Sequence, residues 1–545
     1  MKKLFTLSIL LSIILRLPWI VIPTLMPDEA LLLTVAGQIV HDGAIYGQGF
    51  MDTRGPGGYY LAGLIAYVFG YGNTLAFHLV SIGAQIIILF LIRRLGILLF
   101  NEATANVACL VFAVFSYAYI LHNTIAFNVE FMALPFLLGS AILFYRGLNQ
   151  GWDGSSTSAS LVRFFFAGFL CAVTFAFKQV LAGFLGVYGL MLLLNWWNGD
   201  LRLSQAIRNL SVIVIGFAAG FFLIFAPTFM SIGWKDTIYW LALFGGKYSI
   251  PSIWVKLFNF SSRVMVMFLD QPLFWTLTFF WIAESAFRYK TFADRERQTR
   301  IYILLMLLIQ WVGSMVAGSG QGHHHYTGMA FMAIMTADIM VRFLAIIHDK
   351  ISRNLYRAVI ASIIFIGFVP PVINFTLFPE GVQTPEYFVT NLFKEKLTQK
   401  NDPISQAVTF IQEHTTKDDR IYNCGTLSDI YVLSRRLPAT IALGLIRFEP
   451  KDKDIFLAKT YQRIITDLRA KPPKIILVGC PLYRSINLET GPWEEVRQLL
   501  KEKYQPPIRF GWQGRLKFLS GKDKLMENVN EWLDVYVLRP APVRQ

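Results

Sequence analysis

Apolar runs separated by short polar segments recur over roughly the first two thirds of the chain. A helix needs about 20 mostly apolar residues to cross the hydrocarbon core of a bilayer. By that measure the pattern predicts about eleven transmembrane helices. They are expected near residues 4–25, 74–94, 104–121, 128–146, 160–177, 181–197, 210–230, 272–288, 300–318, 326–347 and 356–378. The apolar piece 58–70 is too short to span, so we expect a helix lying in the membrane interface.

The basic residues predict the orientation of these helices. Alternate loops carry an excess of Arg and Lys, which marks the cytoplasmic side. They contain Arg93, Arg94, Arg146, Arg202, Arg208, Arg288, Lys290, Arg295, Arg297, Arg300, Lys350, Arg353 and Arg357. The N-terminus is therefore expected in the cytoplasm. The segments expected outside are 26–73, 122–127, 178–180, 231–271, 319–325 and everything after 378, with 231–271 as a long loop rich in Trp and Tyr.

After about residue 379 the pattern changes to charged segments in which helical and strand-like runs alternate. The predicted helices are 403–414, 453–469 and 493–503, and the predicted strands are 420–424, 474–480 and 534–540. Such alternation predicts an α/β domain with a partly parallel sheet. We thus expect a membrane domain, 1–378, with an outer first loop, and an extracytoplasmic α/β domain, 379–545. Cys424 and Cys480 each end a predicted strand, and both a disulfide and two free buried thiols remain open.

Composition agrees with a membrane protein. Of the 545 residues, 54% are hydrophobic and 16% charged, against about 25% charged in an ordinary soluble domain. The net charge of +15 does not indicate nucleic-acid binding, because the basic residues lie in short loops. The start, Met1-Lys2-Lys3 before an apolar run, resembles a signal peptide but lacks an A-x-A-like cleavage site, which favours an uncleaved first helix. Four cysteines do not form a disulfide framework.

The first outer loop contains an unusual acidic pair, Asp28 and Glu29, directly after an apolar run. A carboxylate at a membrane rim is costly unless it has a partner or a task. Near a cation it stays ionised and can accept a proton, which is the chemistry of a general base. The alternative is a solvated helix start with Pro27 and Asp28 at its cap, and the residues alone leave both open.

Other outer turns carry further polar residues that we expect to converge, since the turns are short. They are His122 and Glu130, Lys178 and Gln179, and His323, His324, His325 and Tyr326. Arg54 and Lys178 suit phosphate binding, although a headgroup-binding arginine and a snorkelling lysine are the alternatives. The turn after Arg54, residues 55–58, allows close backbone approach to a ligand. Three consecutive histidines on one turn rarely all bind a metal, so we expect no metal site.

Asp338 and Arg342 are four residues apart on a predicted helix, and are expected to form a structural ion pair near its cytoplasmic end.

The sequence resembles the lipid-dependent glycosyltransferases of superfamily C (GT-C), in the branch of protein O-mannosyltransferases and bacterial aminoarabinose transferases. In that family an acidic pair follows the first helix, then A-x-x-x-x-x-G-x-x-Y, then Asp-x-[Lys/Arg]-x-Pro. The matching positions are Asp28, Glu29, Ala36, Gly43, Tyr46, Asp52, Arg54 and Pro56. Segments 123–138, 178–179, 323–335 and 407–440 also match, so the likeness covers nearly the whole chain. Where many members have Lys-Pro-Pro, this chain has Arg54-Gly55-Pro56.

The resemblance implies the GT-C fold and a donor sugar on a polyprenyl phosphate, transferred singly to a lipid, glycan or protein on the outer face. It implies Asp28 as catalytic base, with Glu29 orienting it or the sugar, and Arg54 and Lys178 as phosphate ligands. Further substrate contacts are expected from Tyr46, Asp52, Tyr59, His122, Glu130, Gln179, His325 and Tyr326. Direct displacement would invert the anomeric centre. No metal or other cofactor is implied, and the inner (plasma) membrane is the expected location.

Two rival functions use the same kind of molecule. A flippase or transporter of lipid-linked sugars predicts ionisable residues near mid-span and repeated halves, and neither is visible in the sequence. A polysaccharide polymerase or ligase would transfer whole glycans instead of one sugar.

Overall fold

A computed structural model gives the fold of most of the chain. The described residues are 2–17, 20, 27–52, 54–117, 126–152, 157–244, 252–317, 322–348, 350–369, 403–425, 428–443, 455–479, 493–514 and 529–540.

The first part of the chain is a bundle of helices. They are α1 (Lys2–Arg16), α2 (Pro27–Asp42), α3 (Gly57–Phe69), α4 (Thr74–Leu99), α5 (Glu102–Tyr117), α6 (Val129–Trp152), α7 (Thr157–Phe177), α8 (Phe184–Trp197), α9 (Leu203–Ile238), α10 (Ile253–Asp270), α11 (Pro272–Phe287), α12 (Asp294–Ala317), α13 (Tyr326–His348) and α14 (Arg353–Ser362). A two-residue strand, β1 (Phe50–Met51), lies between α2 and α3.

Seven of the described helices are long and apolar enough to cross a membrane: α4, α6, α7, α8, α9, α12 and α13. The pair α10 and α11 counts as an eighth span only if its 118° bend is disregarded. The other three predicted spans, 4–25, 104–121 and 356–378, each extend into residues outside the described ranges. Helix α1 has 15 residues, α5 has 16 and α14 has 10. The eleven predicted spans are therefore not confirmed, although the multi-pass helical character is.

The prediction of a long outer loop at 231–271 is wrong for most of the described residues there. Helix α9 continues to Ile238 across a break at Gly233, which has φ 78° and ψ 164°. A π-helical turn, Tyr239–Phe244, follows, and α10 begins at Ile253. The aromatic residues of this segment that the structure describes lie on helices instead. Trp254 and Phe258, for example, are exposed on α10, where they extend an apolar surface.

Short helix α3 occupies the apolar piece predicted to be too short to span. It packs closely on α2, where the side chain of Ile39 lies against Gly63. Together α2, β1 and α3 form the described part of the first loop.

The C-terminal part is a small α/β unit, as the sequence predicted. Its elements are α15 (Pro403–His414), β2 (Ile421–Asn423), α16 (Asp429–Ser434), β3 (Ala442–Leu443), α17 (Ile455–Ala470), β4 (Ile475–Gly479), α18 (Glu494–Lys503), β5 (Ile508–Gly514) and β6 (Val529–Val537). The four-stranded sheet has the order β2-β4-β6-β5, with β2 and β4 parallel and the remaining neighbours antiparallel. The partly parallel sheet is confirmed, and β5 is a strand that the pattern missed. The predicted domain boundary near 379 lies outside the described residues.

Cys424 is a free thiol, buried at the end of β2. Its amide N–H donates to the carbonyl of Leu477 at 2.8 Å, and burial raises the pKa of the thiol to about 12. Cys480 lies outside the described residues. The structure therefore supports the free-thiol alternative for Cys424.

The C-terminal unit docks on α2 and the segment that follows it. Strands β1 and β3 pair in parallel, with Phe50 opposite Ala442. The guanidinium of Arg420 donates to both carboxylate oxygens of Asp42 at 2.9 and 2.7 Å. Helix α2 therefore connects the C-terminal unit directly to the segment that carries the acidic pair.

Candidate active site

Asp28 and Glu29 occupy the first turn of α2, after Pro27 at the first helical position. Both are buried, so the solvated-cap alternative does not describe them. Successive residues of a helix point about 100° apart, because one turn holds 3.6 residues. The two carboxylates consequently face different partners.

Asp28 forms an ion pair with Arg54, whose Nη2 lies 2.8 Å from Oδ1. The same guanidinium reaches Asp52, with Nε 3.4 Å from Oδ2. Its third nitrogen, Nη1, is buried and has no hydrogen-bond partner. Burial lowers the pKa of Arg54, but the Asp28 and Asp52 carboxylates outweigh it and raise that pKa well above its usual value. Arg54 is therefore a fixed cation with one unused donor group.

Asp52 is held in place by two tyrosines. The Tyr59 hydroxyl donates to Asp52 Oδ2, and the Tyr46 hydroxyl donates to the Asp52 carbonyl at 2.9 Å. Burial and then the neighbouring Asp52 carboxylate raise the pKa of both tyrosines well above the usual value. Both phenols thus stay protonated and donate. Tyr46 and Tyr59 therefore hold Asp52 in position, and Asp52 in turn orients Arg54.

The glycine-rich turn after Arg54 is packed tightly between two helices. A Cβ atom on Gly57 would lie 2.9 Å from the carbonyl carbon of Ala176, near the end of α7. One on Gly58 would lie 2.6 Å from the side chain of Val129, at the start of α6. The turn therefore brings Arg54 to the helix ends that carry Glu130 and Lys178.

Lys178 follows α7 and forms an ion pair with Glu130, the second residue of α6. The Nε2 atom of His324 lies 3.9 Å from the same carboxylate oxygen. Burial lowers the pKa of Lys178, and Glu130 offsets part of that effect. Arg54 and Asp28 lie near enough to influence Lys178 as well. The predicted convergence of these outer turns is present in the structure.

Glu29 faces away from this cluster. One of its carboxylate oxygens, Oε1, lies 3.0 Å from His78 Nε2 and accepts the Phe127 amide N–H at 2.7 Å. The other ring nitrogen of His78, Nδ1, lies 3.0 Å from the carbonyl of Ile20. Glu29 ties α2 to α4 and to the segment before α6.

Sequence reasoning did not single out His78. The available signal was one histidine within a long apolar run, since a polar residue there usually has a partner. Its partner lies 49 residues away in the chain, which no local pattern reveals.

The remaining predicted contacts take other positions. Tyr326 lies inside the bundle, with its ring near Phe112 and Phe131 and its hydroxyl 3.4 Å from Gln85 Oε1. The His325 ring packs against Phe260, with centroids 5.3 Å apart. Gln179 directly follows Lys178 and is half-buried. His122 lies outside the described residues.

Among the residues that the structure describes, no three His, Cys, Asp or Glu side chains are grouped so as to hold a metal ion. His324 lies beside Glu130, and the His325 ring packs against an aromatic side chain. The contacts of these two histidines do not favour a metal-binding role.

The opposite end of the bundle has an ionic cluster of its own. The predicted Asp338–Arg342 pair is present, at 3.1 Å. Arg342 also pairs with Glu284, and Arg300 reaches both carboxylates at 3.4 and 3.5 Å. These ion pairs connect α11, α12 and α13, which gives the charged residues of the cluster a structural role.

Comparison with protein-family models and with curated protein sequences gives no match. Solved structures do match. ArnT from Cupriavidus metallidurans bound to undecaprenyl phosphate aligns with a TM-score of 0.58 at 11% identity, covering 99% of each chain. The oligosaccharyltransferase AglB from Archaeoglobus fulgidus, in complex with an inhibitory peptide and a dolichol-phosphate, aligns with a TM-score of 0.52 at 14% identity. That match covers 93% of this chain and 72% of AglB. The chain therefore shares its fold with these two proteins, which confirms the predicted resemblance at the level of the fold.

Proposed function

We propose that the protein is a membrane glycosyltransferase that moves one sugar from a polyprenyl phosphate to an acceptor hydroxyl on the outer face. The observation that carries this proposal is the Asp28–Arg54 pair, in which a buried carboxylate shares a guanidinium that still has one unused donor. This contact places a candidate general base, Asp28, directly beside a residue suited to bind phosphate, Arg54.

Arg54 is suited to hold the donor phosphate. Arginine binds phosphate through parallel N–H donors, and a buried donor without an acceptor is costly. Nη1 of Arg54 supplies such a donor. Lys178 supplies a second cation, which interacts electrostatically with Arg54 and Asp28. A phosphate oxygen bound to Nη1 would remove the unsatisfied contact.

Donor binding would also prepare the base. The Asp28 carboxylate is engaged by Arg54 Nη2. The donor is a phosphodiester with one negative charge, and its phosphate would compete for that guanidinium, so that part of the guanidinium's hydrogen bonding passes from Asp28 to the phosphate. Asp28 would then be free to accept a proton when the donor is in place.

The reaction follows from these positions. The acceptor oxygen attacks the anomeric carbon, while Asp28 takes the hydroxyl proton. The bond between that carbon and the phosphate oxygen breaks, and its electron pair leaves with polyprenyl phosphate. Arg54 and Lys178 stabilise the charge that develops on the leaving oxygen. A single displacement inverts the anomeric centre, and Glu130 and His324 keep Lys178 oriented.

The proposal keeps the orientation predicted from the basic loops. The candidate site lies at the end of the bundle to which the C-terminal unit docks, and the Glu284–Arg342 cluster lies at the other end. We place the site and the 379–545 domain outside the cytoplasm and the N-terminus inside, in an inner (plasma) membrane.

Two other functions remain as alternatives. A flippase for lipid-linked sugars would use Arg54 and Lys178 to bind phosphate but would not need Asp28 as a base. A polysaccharide polymerase or ligase would use the same base and phosphate ligands but transfer a whole glycan. The polymerase or ligase is distinguished from the proposed glycosyltransferase by the group it transfers, a whole glycan instead of a single sugar.

The test is a transfer assay with the purified full-length protein in detergent. Radiolabelled polyprenyl-phosphate sugars are supplied with membrane extract, and the wild type is compared with Asp28→Asn. General-base catalysis contributes about 10²- to 10⁴-fold, so we expect a loss of that size with donor binding retained. Asp418→Asn, at an exposed position of the C-terminal unit, is the matched control. Equal turnover by Asp28→Asn and the control would overturn the base assignment, and no donor consumption at all would favour the flippase.

A further inference from the structure

A polar cleft lies where α2 meets the C-terminal unit, with a volume of about 370 Å³. Its walls are the second half of α2, the turn that follows it, the residues directly before β2 and before β3, and the second half of α17 with the residue after it. The polar side chains that matter are Gln38, Asp42, Arg420, Arg463, Asp467 and Lys471. This volume is within the roughly 300–1,000 Å³ of ordinary small-molecule sites.

Gln38 has an unmet hydrogen-bonding requirement in this cleft. Its side chain is only 4% exposed, and its Nε2 donates to the carbonyl of Thr440 at 3.1 Å. Its Oε1 is buried and has no hydrogen-bond partner. Exchanging the amide oxygen and nitrogen would place two oxygens against each other at Thr440, so this orientation is the favourable one. Since most buried polar atoms are satisfied, Oε1 requires a hydroxyl or N–H donor.

The charged side chains of the cleft differ in how many polar partners they have. Arg420 is fully engaged by Asp42, at 2.9 and 2.7 Å. Arg463 donates to the carbonyl of Gln48 at 2.6 Å and is 3.8 Å from Asp467. Asp467 in turn accepts the Thr440 hydroxyl at 2.7 Å.

Lys471 lies one turn beyond Asp467 and is exposed. It forms no ion pair with any residue that the structure describes. The cleft therefore has a net positive charge with an available ammonium group at one edge.

We propose that this cleft binds a hydroxylated anion, namely a sugar that carries a phosphate or a carboxylate. A sugar hydroxyl would donate to Gln38 Oε1, while the anionic group would pair with Lys471 and with the free donors of Arg463. A neutral sugar would satisfy only the amide, and a simple anion only the cations. The combination selects a ligand that has both groups.

The cleft is separate from the candidate active site. Gln38 lies ten residues after Asp28 on the same helix, which is about 15 Å at 1.5 Å per residue. Binding here does not depend on transfer at Asp28, so the inference stands apart from the proposed function. The ligand could be a soluble sugar acid or the headgroup of a glycolipid, since both present the same chemistry.

The test measures binding by the full-length protein in detergent, using isothermal titration calorimetry. The probes are glucose 6-phosphate, glucuronate, glucose and inorganic phosphate. We expect the two charged sugars to bind at least about tenfold more tightly than glucose or phosphate, because a charge-assisted hydrogen bond is worth about that factor. Equal affinities for glucose 6-phosphate and inorganic phosphate would overturn the role of Gln38.

Variants give a second criterion. Lys471→Gln removes the available cation at an exposed position, so we expect the fold to be retained, and the melting temperature checks this. It should weaken glucose 6-phosphate binding about tenfold, while Lys417→Gln, an exposed lysine elsewhere in the same unit, should leave it unchanged. Gln38→Leu should weaken the sugar phosphate but not inorganic phosphate. Equal effects of Lys471→Gln and Lys417→Gln would contradict the proposal.

The source of the ligand is decided with nanodiscs. Glucuronosyl diacylglycerol incorporated in the disc is compared with soluble glucuronate. If the lipid competes with glucose 6-phosphate in the wild type but not in Lys471→Gln, the cleft binds a membrane headgroup. If only the soluble acids compete, it binds a free sugar acid. If no probe binds above the level of the Lys471→Gln variant, the cleft is not this site.

Discussion

A Cβ atom on Gly55 would lie 2.3 Å from the carbonyl oxygen of Ala176. Any other residue at position 55 would therefore push the turn away from the end of α7. The glycine-rich turn is thus closely packed against the end of α7. Close packing at Ala176 is what places Arg54 within reach of Lys178, two residues further along.

Replacing Gly55 with Ala should impair transfer more than stability. The turn must shift by about an ångström, and a displacement of that size at a reacting group can cost about 10²-fold. Gly186→Ala in α8 is the control, because a Cβ there meets no atom within 4 Å. The measurement is kcat/KM for the donor together with the melting temperature. Activity equal to that of the control would show that the position of Arg54 is not set by this contact.

Arg54→Lys should raise the donor KM by about tenfold or more. A lysine keeps the charge but cannot serve Asp28, Asp52 and a phosphate at once, since it lacks the planar fork of arginine. Arg54→Gln should be weaker still, because the charge is lost as well. Initial rates at varied donor concentration decide the question, with Arg497→Lys on the surface of the C-terminal unit as control. An unchanged KM in Arg54→Lys would argue against phosphate binding by Nη1.

Lys178 should set an alkaline limit on activity. Its pKa is lowered by burial, partly offset by Glu130, so the ammonium loses its proton below the usual value of about 10.4. The cation that stabilises the leaving phosphate is present at low pH and is lost as pH rises through this lowered pKa. A profile of kcat/KM against pH should therefore fall on the alkaline side.

The matched variant for that profile is Lys178→Arg. Arginine remains protonated over the whole range, so the alkaline fall should disappear or move to higher pH. If the wild type and Lys178→Arg fall at the same pH, another group is responsible.

Glu29 should be more important for stability than for catalysis. Glu29→Ala leaves His78 and the Phe127 amide without their acceptor in a buried site, and breaking a buried pair costs about 3–5 kcal/mol. Glu29→Gln retains one amide oxygen for the Phe127 N–H and should restore much of the melting temperature. The transfer rate of Glu29→Gln should remain well above that of Asp28→Asn. Similar losses in both variants, with both folded, would indicate that Glu29 also takes part in the reaction.

Much of the C-terminal unit could be predicted from local pattern. The helix predicted at 403–414 has those bounds in the structure, and the three predicted strands are all present. The spacing of apolar and polar residues along a helix or strand reflects which side chains are buried. The type and position of a short element can therefore be predicted from its own residues. Strand β5 was missed because its segment, Ile508–Gly514, contains Arg, Gln and two glycines, and its pairing with β6 supplies what its own pattern lacks.

The membrane part was predicted less completely. Among the described residues, seven helices are long and apolar enough to span, so the predicted number of eleven is not confirmed. Helix α1 stops at Arg16, whose guanidinium donates to Ser12 and Ser116 inside the bundle. At the bend between α10 and α11, the second helix begins at Pro272, which agrees with the predicted start of that span.

The sequence by itself determined the apolar runs, the acidic pair, the cations and the order of helices and strands, because each of these depends on neighbouring residues. It also indicated that the outer turns would meet, since short connections keep their polar groups at one end of the bundle. Only the tertiary structure decided which carboxylate faces Arg54 and which faces His78. That choice depends on contacts between residues up to 98 positions apart, and distant contacts of this kind arise from packing of whole helices and leave no periodicity in the chain.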